Sequence, residues 1–160
     1  MTGPADGIEI GAARFPADRA AVEGLMRAYA ASLTVDLCFQ GFAEELAGLP
    51  GAYAPPRGRL LVARQGERMI GCIALRPLAG TDCEMKRLYV TDEGRGFGVG
   101  RRLVEALCSE ACAAGYRRIF LDTLPEMVTA QRLYEHLGFR DVAPYTANPV
   151  PGARFLARDL

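Results

Sequence analysis

The segment Asp92-Glu-Gly-Arg-Gly-Phe-Gly-Val-Gly-Arg-Arg102 decides how the 160-residue chain is interpreted. It follows a strand-like run that ends at Val90, and it precedes a helical run with Val99, Leu103 and Leu107 on one face. Four glycines at alternate positions allow positive φ angles and a close approach of the backbone to a ligand. The first turn of a helix offers free N–H groups and partial positive charge. The segment therefore predicts an anion-binding turn between a strand and a helix.

Three arginines, Arg95, Arg101 and Arg102, lie at this predicted helix start, where acidic side chains would be the stabilising choice. A bound polyanion would remove that conflict. Two common phosphate loops do not fit, because the chain has no Gly-Lys pair for a nucleotide P-loop and the G-x-G-x-x-G pattern lacks its third glycine. A flexible loop with solvated arginines is the alternative interpretation.

Upstream of the loop, hydrophobic spacing predicts a strand over residues 8–14, a helix that begins near Pro16 and a second helix capped by Asp36. An antiparallel meander then follows, with strands at residues 59–64, 69–75 and 83–90.

Downstream of the loop, a helix over 98–114 and a strand over 117–122 complete a βαβ unit, so strands 83–90 and 117–122 should be parallel. Thr123-Leu-Pro-Glu126 matches a capping box and predicts the start of a fourth helix. A last strand pair is expected near 139–143 and 153–160. The sum is a single α+β domain over residues 1–160, with about four helices on a mixed sheet.

Charge and hydropathy exclude several classes of protein. Nineteen basic residues balance nineteen acidic ones and the mean hydropathy is +0.06, so binding dominated by nucleic-acid phosphates or by an anionic membrane is disfavoured. No signal peptide and no apolar run of about 20 residues is visible, and we expect a cytoplasmic protein. Five cysteines without a C-x-x-C pair and a single histidine do not predict a metal site.

Two motifs resemble those of the GNAT superfamily of acetyl-CoA-dependent N-acetyltransferases. Arg95-Gly-Phe-Gly-Val-Gly100 is similar to the Q/R-x-x-G-x-G/A loop of that family. Ala130-Gln-Arg-Leu-Tyr-Glu-His-Leu-Gly-Phe139 is similar to its A-x-x-L-Y-x-x-x-G-F helix. The resemblance implies a GNAT-like, mostly antiparallel sheet of about seven strands, and acetyl-CoA as cosubstrate without a metal.

The resemblance also implies where coenzyme A would bind. Backbone N–H groups of the glycine-rich loop would hold its pyrophosphate, and the end of the preceding strand would pair with the pantetheine arm as an added strand does. The implied residues are Leu88, Tyr89, Val90, Arg95, Gly96, Phe97, Gly98, Val99, Gly100 and Arg101.

For catalysis, the resemblance places Tyr134 near the thioester sulfur, where it would protonate the departing thiolate. Glu84 occupies the position where some relatives carry a general base for the amine. The alternative for Tyr134 is a core tyrosine, and the alternative for Glu84 is a strand residue paired with Lys86 or Arg87. One departure from the family pattern is Met127, which stands where many members have asparagine.

The acceptor is predicted to be a small molecule with a primary amine, attacked directly in a ternary complex. The alternatives are acetylation of a protein N-terminus or lysine, and a non-catalytic acyl-CoA-binding module. Many relatives dimerise, so a homodimer is a further alternative to a monomer. Two arginines could hold an acceptor carboxylate by a bidentate contact. The predicted acceptor residues, for which core or surface roles are the alternative, are Phe39, Gln40, Arg76, Arg87, Tyr145 and Asn148.

Overall fold

A seven-stranded mixed sheet runs through the computed structural model, which describes residues 7–37 and 41–160. The strand order is β1-β2-β3-β4-β5-β7-β6; β4 and β5 are parallel, and the other neighbours are antiparallel. The predicted α+β class and the parallel βαβ pair are therefore confirmed. The strands are β1 (Ile8–Ala12), β2 (Arg59–Gln65), β3 (Arg68–Pro77), β4 (Asp82–Val90), β5 (Arg118–Thr123), β6 (Arg140–Asp141) and β7 (Arg154–Asp159).

Four α-helices in the described residues cover the two faces of the sheet. Helices α1 (Arg19–Ala31) and α2 (Phe42–Ala47) lie on one face, and α3 (Val99–Ala113) and α4 (Val128–His136) lie on the other. Each helix supplies an apolar stripe to the core: Val22 and Met26 of α1 pack with strands β2 and β3, and Leu103 and Leu107 of α3 are fully buried on the opposite face. Burying one such side chain contributes about 1.5–3 kcal/mol.

Two predicted helix starts are wrong. Helix α2 begins after Gly41, which has a φ of +68°, and not after Asp36. Helix α4 begins at Val128, so Thr123 and Glu126 do not form a capping box. The Thr123 hydroxyl contacts the Met127 sulfur instead, and the Glu126 carboxylate accepts a hydrogen bond of 2.7 Å from the Thr34 hydroxyl. The capping-box prediction relied on the local sequence, which does not reveal that Glu126 contacts Thr34, 92 residues earlier in the chain.

Strand β4 contains a bulge that opens the sheet. Cys72 of β3 faces Tyr89, but Ala74 faces Lys86, so β4 carries one extra residue between them. Arg87 lies in that interval with a φ of +62°, which is uncommon for a residue other than glycine. The parallel pairing of β4 with β5 extends only as far as Glu84. Beyond Glu84 the two strands separate, and the edge of β4 that faces β5 is left without a strand partner.

The side chain of Arg87 anchors the bulge in the interior. It is only 2 % exposed, and its guanidinium donates two hydrogen bonds of 2.8 Å to the Glu45 carboxylate of α2. The same guanidinium lies 5.9 Å from the ring centre of Tyr29 and 5.2 Å from that of Phe42. A bidentate pair of this kind is geometrically specific, so helix α2 fixes the backbone of β4 at the point where the sheet divides.

Substitution of Gly58, the residue before β2, tests how closely its backbone packs against that of Ala52 and Tyr53. A Cβ at this position would lie 2.3 Å from the Ala52 carbonyl oxygen and 2.4 Å from the Tyr53 carbonyl carbon. We expect Gly58→Ala to lower the free energy of unfolding by about 3 kcal/mol in urea titrations, because buried backbone must move to make room. The control is Gly24→Ala on the exposed side of α1, where nothing lies within 4 Å and a gain of up to about 1 kcal/mol is expected. Equal stability of the two variants would contradict this packing.

Candidate functional site

A groove of about 630 Å³ lies where β4 and β5 separate. Its walls are the end of β4, the glycine-rich loop, the first turn of α3 and the start of α4. All the residues predicted to bind coenzyme A line this groove except Phe97, which is 47 % exposed at the loop. Residues of α1 and α4 that the sequence analysis missed also line it: Tyr29, Ser32, Glu126, Met127, Val128, Thr129, Ala130 and Leu133.

Six consecutive backbone amides at the loop and helix start have no internal acceptor. The N–H groups of residues 96–101 donate to no other described residue, and the first bond of the helix runs from the Arg102 amide to the Gly98 carbonyl oxygen. Gly96 and Gly98 have φ angles of +88° and +68° and line the groove, and turns of successive backbone amides with such angles form anion-binding concavities. No acidic residue occupies the first turn of α3. This cradle suits a diphosphate group.

The three arginines of the loop have different surroundings. Arg95 pairs with Asp92 at 3.0 Å and Arg101 pairs with Glu105 at 3.1 Å, and both guanidinium groups are more than half exposed. Arg102 donates a 2.6 Å hydrogen bond to the Ile8 carbonyl oxygen and so ties α3 to β1. The prediction that all three crowd the anion site is therefore wrong for Arg102. The exposed ion pairs of Arg95 and Arg101 are weak, so these two side chains can exchange them for contacts with a ligand phosphate.

A second, small cavity lies beside the groove, in the gap between β4 and β5. Tyr29, Leu88 and Met127 line both spaces, so the two are adjacent. The cavity volume is about 40 Å³. Its polar lining comes from both strands, from two helices and from the loop before β7, and consists of Tyr29, Lys86, Arg87, Asp122, Thr123, Tyr134 and Asn148.

Tyr134 lines this cavity from α4. The residue is 5 % exposed, its ring packs 5.7 Å from that of Phe139, and no hydrogen bond joins its hydroxyl to another described residue. Burial raises the pKa of Tyr134 above its usual value, with smaller contributions from Tyr29 and Asp122. A phenol with a raised pKa stays protonated at neutral pH and is available as a proton donor.

Glu84 lies outside the cavity, in a buried network with two of the predicted acceptor residues. Its carboxylate accepts hydrogen bonds of 2.6 Å from the Arg76 Nε and from the Tyr145 hydroxyl, one on each oxygen, and it is fully buried. The Tyr145 ring packs 5.0 Å from Phe120 and 5.8 Å from Phe155. Burial, and then Glu84, raise the pKa of Tyr145, so the hydroxyl remains a donor in this network. The network fastens the loop before β7 to the sheet.

The predicted acceptor residues thus fall into separate places. Arg76 and Arg87 have internal carboxylate partners, Glu84 and Glu45, instead of facing an acceptor freely. Asn148 lies in the cavity and donates a 3.0 Å hydrogen bond to Asp122 Oδ2. Phe39 and Gln40 lie outside the described residues.

Two charged residues of the cavity were missed by the sequence analysis, Lys86 of β4 and Asp122 of β5. Lys86 is 9 % exposed, and burial lowers its pKa from the usual value. The signal that could have identified them is their position, because both are charged residues inside strands that are largely buried. Their proximity depends on the pairing of β4 with β5, which single-strand patterns do not reveal.

Within residues 7–37 and 41–160, no group of three or more His, Cys, Asp or Glu side chains is arranged to hold a metal ion. None of the helices in those same residues is long and apolar enough to cross a membrane.

Comparisons with known proteins agree with this geometry. The family model described as "Acetyltransferase (GNAT) domain" matches residues 56–141. An uncharacterised N-acetyltransferase of Schizosaccharomyces pombe is 37 % identical over 155 residues, which cover 96 % of this chain and 95 % of the relative. An acetyltransferase structure from Streptococcus agalactiae superposes with a TM-score of 0.79 at 22 % identity over 96 % of this chain and 99 % of that one. The structure of yncA from Salmonella typhimurium with its cofactor acetyl-CoA gives a TM-score of 0.68 at 21 % identity, covering 96 % and 94 %.

The chain belongs to the GNAT acetyltransferase family, and it is an acyltransferase that uses acetyl-CoA. Both the resemblance drawn from the two motifs and the predicted enzyme class are confirmed. Membership of this enzyme family also argues against the alternative of a non-catalytic acyl-CoA-binding module.

Gly98 offers a test of the amide cradle. A Cβ at this position meets nothing within 4 Å, and asparagine tolerates a positive φ better than most residues. We expect Gly98→Asp to raise the Kd for coenzyme A at least about tenfold, or 1.4 kcal/mol, because a carboxylate would repel the diphosphate. Isothermal titration calorimetry measures the Kd, and Gly98→Asn, of similar size but neutral, serves as the control. Equal affinities of the Asp and Asn variants would place the diphosphate elsewhere.

Proposed function

We propose that this GNAT enzyme acetylates the primary amine of a small molecule by direct attack in a ternary complex. The observation that carries the proposal is that the groove shares three lining residues with a small cavity, whose charged lining comes from the two strands β4 and β5. A folded protein acceptor would need an exposed channel for its chain. Acetylation of a protein N-terminus or lysine remains the alternative that the test below distinguishes.

The unpaired amides of residues 96–101 would hold the pyrophosphate of coenzyme A, with Arg95 and Arg101 as flexible counter-charges. The free edge of β4, at Leu88 to Val90, would pair with the pantetheine arm in the manner of an added strand. Phe97 and Val128 are exposed apolar side chains, and Val128 lies in the groove wall. Acetyl-CoA supplies an activated acyl group as a thioester.

In the proposed reaction, the neutral amine nitrogen forms a bond to the thioester carbonyl carbon, and the carbon–sulfur bond breaks. Tyr134 gives its proton to the departing thiolate, and the surplus proton of the amine passes to a carboxylate. The position of the Tyr134 hydroxyl in the cavity, without an internal partner among the described residues, supports the acid role. Cavity walls that hold both reactants together supply much of the rate.

The carboxylate that receives the amine proton is proposed to be Asp122. Glu84, the base expected from the family resemblance, is fully buried outside the cavity, and both its oxygens already accept hydrogen bonds. Asp122 lines the cavity with Tyr134, and among the side chains that the structure describes only the neutral amide of Asn148 donates to one of its oxygens. Glu84 would then position Tyr145 and Arg76.

A single domain over residues 1–160, a cytoplasmic location, the absence of nucleic-acid or membrane partners and a homodimer stay predictions. The balanced charge of the chain supports the exclusion of nucleic acid.

The acid role is tested by Tyr134→Phe. We expect kcat for thiol release to fall by about a hundredfold or more, with little change in the Kd for coenzyme A, because only the proton donor is removed. The assay uses a panel of small primary amines beside a mixture of short peptides with free N-termini and lysines. Turnover of peptides alone would contradict the small-molecule proposal, and an unchanged kcat in the variant would remove the acid role.

The two candidate bases are separated by a matched pair of isosteric variants. We expect Asp122→Asn to lower kcat about a hundredfold without a loss of stability, because it removes the proton acceptor. Glu84→Gln should change kcat much less and lose stability in urea titrations, because its hydrogen bonds to Arg76 and Tyr145 weaken. The reverse pattern would make Glu84 the base.

A further inference from the structure

Lys86 is the only lysine of the chain; every other one of the nineteen basic residues is an arginine. It lies on β4, is 9 % exposed and lines the small cavity beside Tyr134. No hydrogen bond or ion pair joins its ammonium group to another residue within the described ranges. Burying a charge without a partner is costly, so a ligand is the natural source of that partner.

The other charged groups nearest to Lys86 on β3 and β4 are already engaged. Glu84 precedes it by two residues on the same strand and accepts a hydrogen bond from Arg76 of β3. Arg87, the next residue, is paired with Glu45 of α2 in the bidentate contact described above. In each pair the arginine and the carboxylate neutralise each other, and neither pair provides a carboxylate in contact with the Lys86 ammonium group.

Asp122 is the remaining charged group that faces Lys86, from β5 on the other side of the gap. The Asn148 amide donates to its Oδ2, and no charged group pairs with it among the described residues. Tyr29 of α1 and Tyr134 of α4 complete the polar walls. The cavity therefore presents one cation and one anion on opposite strands, both without a contacting counter-charge within the described part of the chain.

The chemistry of lysine explains why this position differs from all the other basic ones. Burial lowers the pKa of Lys86, and nearby Glu84 opposes that shift. A carboxylate bound beside the ammonium group would oppose that shift and favour the charged form of Lys86. The ammonium group is also compact, which suits a narrow cavity.

We propose that the acceptor is an amino-acid-like zwitterion, with its carboxylate bound by Lys86 and its ammonium group bound by Asp122. This inference rests on the proposed function, because it specifies the class of small-molecule amine at the same site. The carboxylate of the acceptor takes no part in bond making. The acceptor's ammonium group first passes one proton through Asp122 to solvent, and the neutral amine then attacks the thioester while the regenerated Asp122 carboxylate accepts the second proton. After transfer, the amide nitrogen is neutral and no longer attracts Asp122, so the product loses one of its two ionic contacts and is released more readily.

The test compares L-amino acids with their carboxamides, which keep the amine and lack the carboxylate. Thiol release from acetyl-CoA by the full chain gives kcat and KM for each matched pair. We expect at least one amino acid to exceed its carboxamide about tenfold or more in kcat/KM. Lys86→Met should abolish that preference, because the KM of the amino acid should rise about tenfold or more relative to the KM of its carboxamide. Arg132→Met, on the exposed side of α4, is the control for loss of one positive charge.

Calorimetry with coenzyme A in place of acetyl-CoA measures acceptor binding without turnover, and the amino acid should bind Lys86→Met at least about tenfold more weakly than the unaltered protein. Equal kcat/KM for amino acids and carboxamides would overturn the inference and leave the proposed function intact. A preference that survives in Lys86→Met would also overturn it. A fall of kcat in Lys86→Met with amino acids and carboxamides alike would identify Lys86 as a proton acceptor, and the inference that it binds the carboxylate would be overturned. Turnover of no small amine would overturn the proposed function as well.

Discussion

The bulge of β4 at Arg87 is the constraint on which the rest of the site depends. A regular strand would continue to pair with β5, and the sheet would have no gap in which two substrates could meet. The positive φ of Arg87 is unfavourable by itself, and the Glu45 carboxylate compensates for it by holding the guanidinium inside the protein. Helix α2 thus stabilises the backbone of β4 at the site, in addition to packing over the core.

The separation of the strands divides the site into two electrostatic environments. The groove presents partial positive charge from backbone amides and suits a highly charged, flexible cosubstrate. The inner cavity presents full charges of both signs, from Lys86 and Asp122, at close quarters and with little water. A chain with no net charge can therefore bind a polyanion and select a second substrate, because local arrangement and not the total charge determines binding.

The sequence predicted the groove well because its determinants are local. Alternate glycines between a strand and a helix dictate the conformation of the amides, and Tyr134 follows from a motif on a single helix. Lys86 and Asp122 could not be found in the same way, since they face each other only through the pairing and separation of two strands about 35 residues apart. Glu84 lies on β4, as the strand pattern predicted, but Arg76 on the adjacent strand and Tyr145 from the loop before β7 occupy its two oxygens outside the cavity.

The unusual distribution of basic residues affects how this enzyme's own amines are exposed to the reactive thioester that it binds. Unprotonated primary amines are the groups that such donors modify by accident, and a guanidinium group is too weak a nucleophile to be modified. Because all its other basic residues are arginines and its single lysine is buried, this protein exposes no lysine amine on its exterior to such modification. Composition thus limits acylation of amines on its own surface, independently of the catalytic machinery.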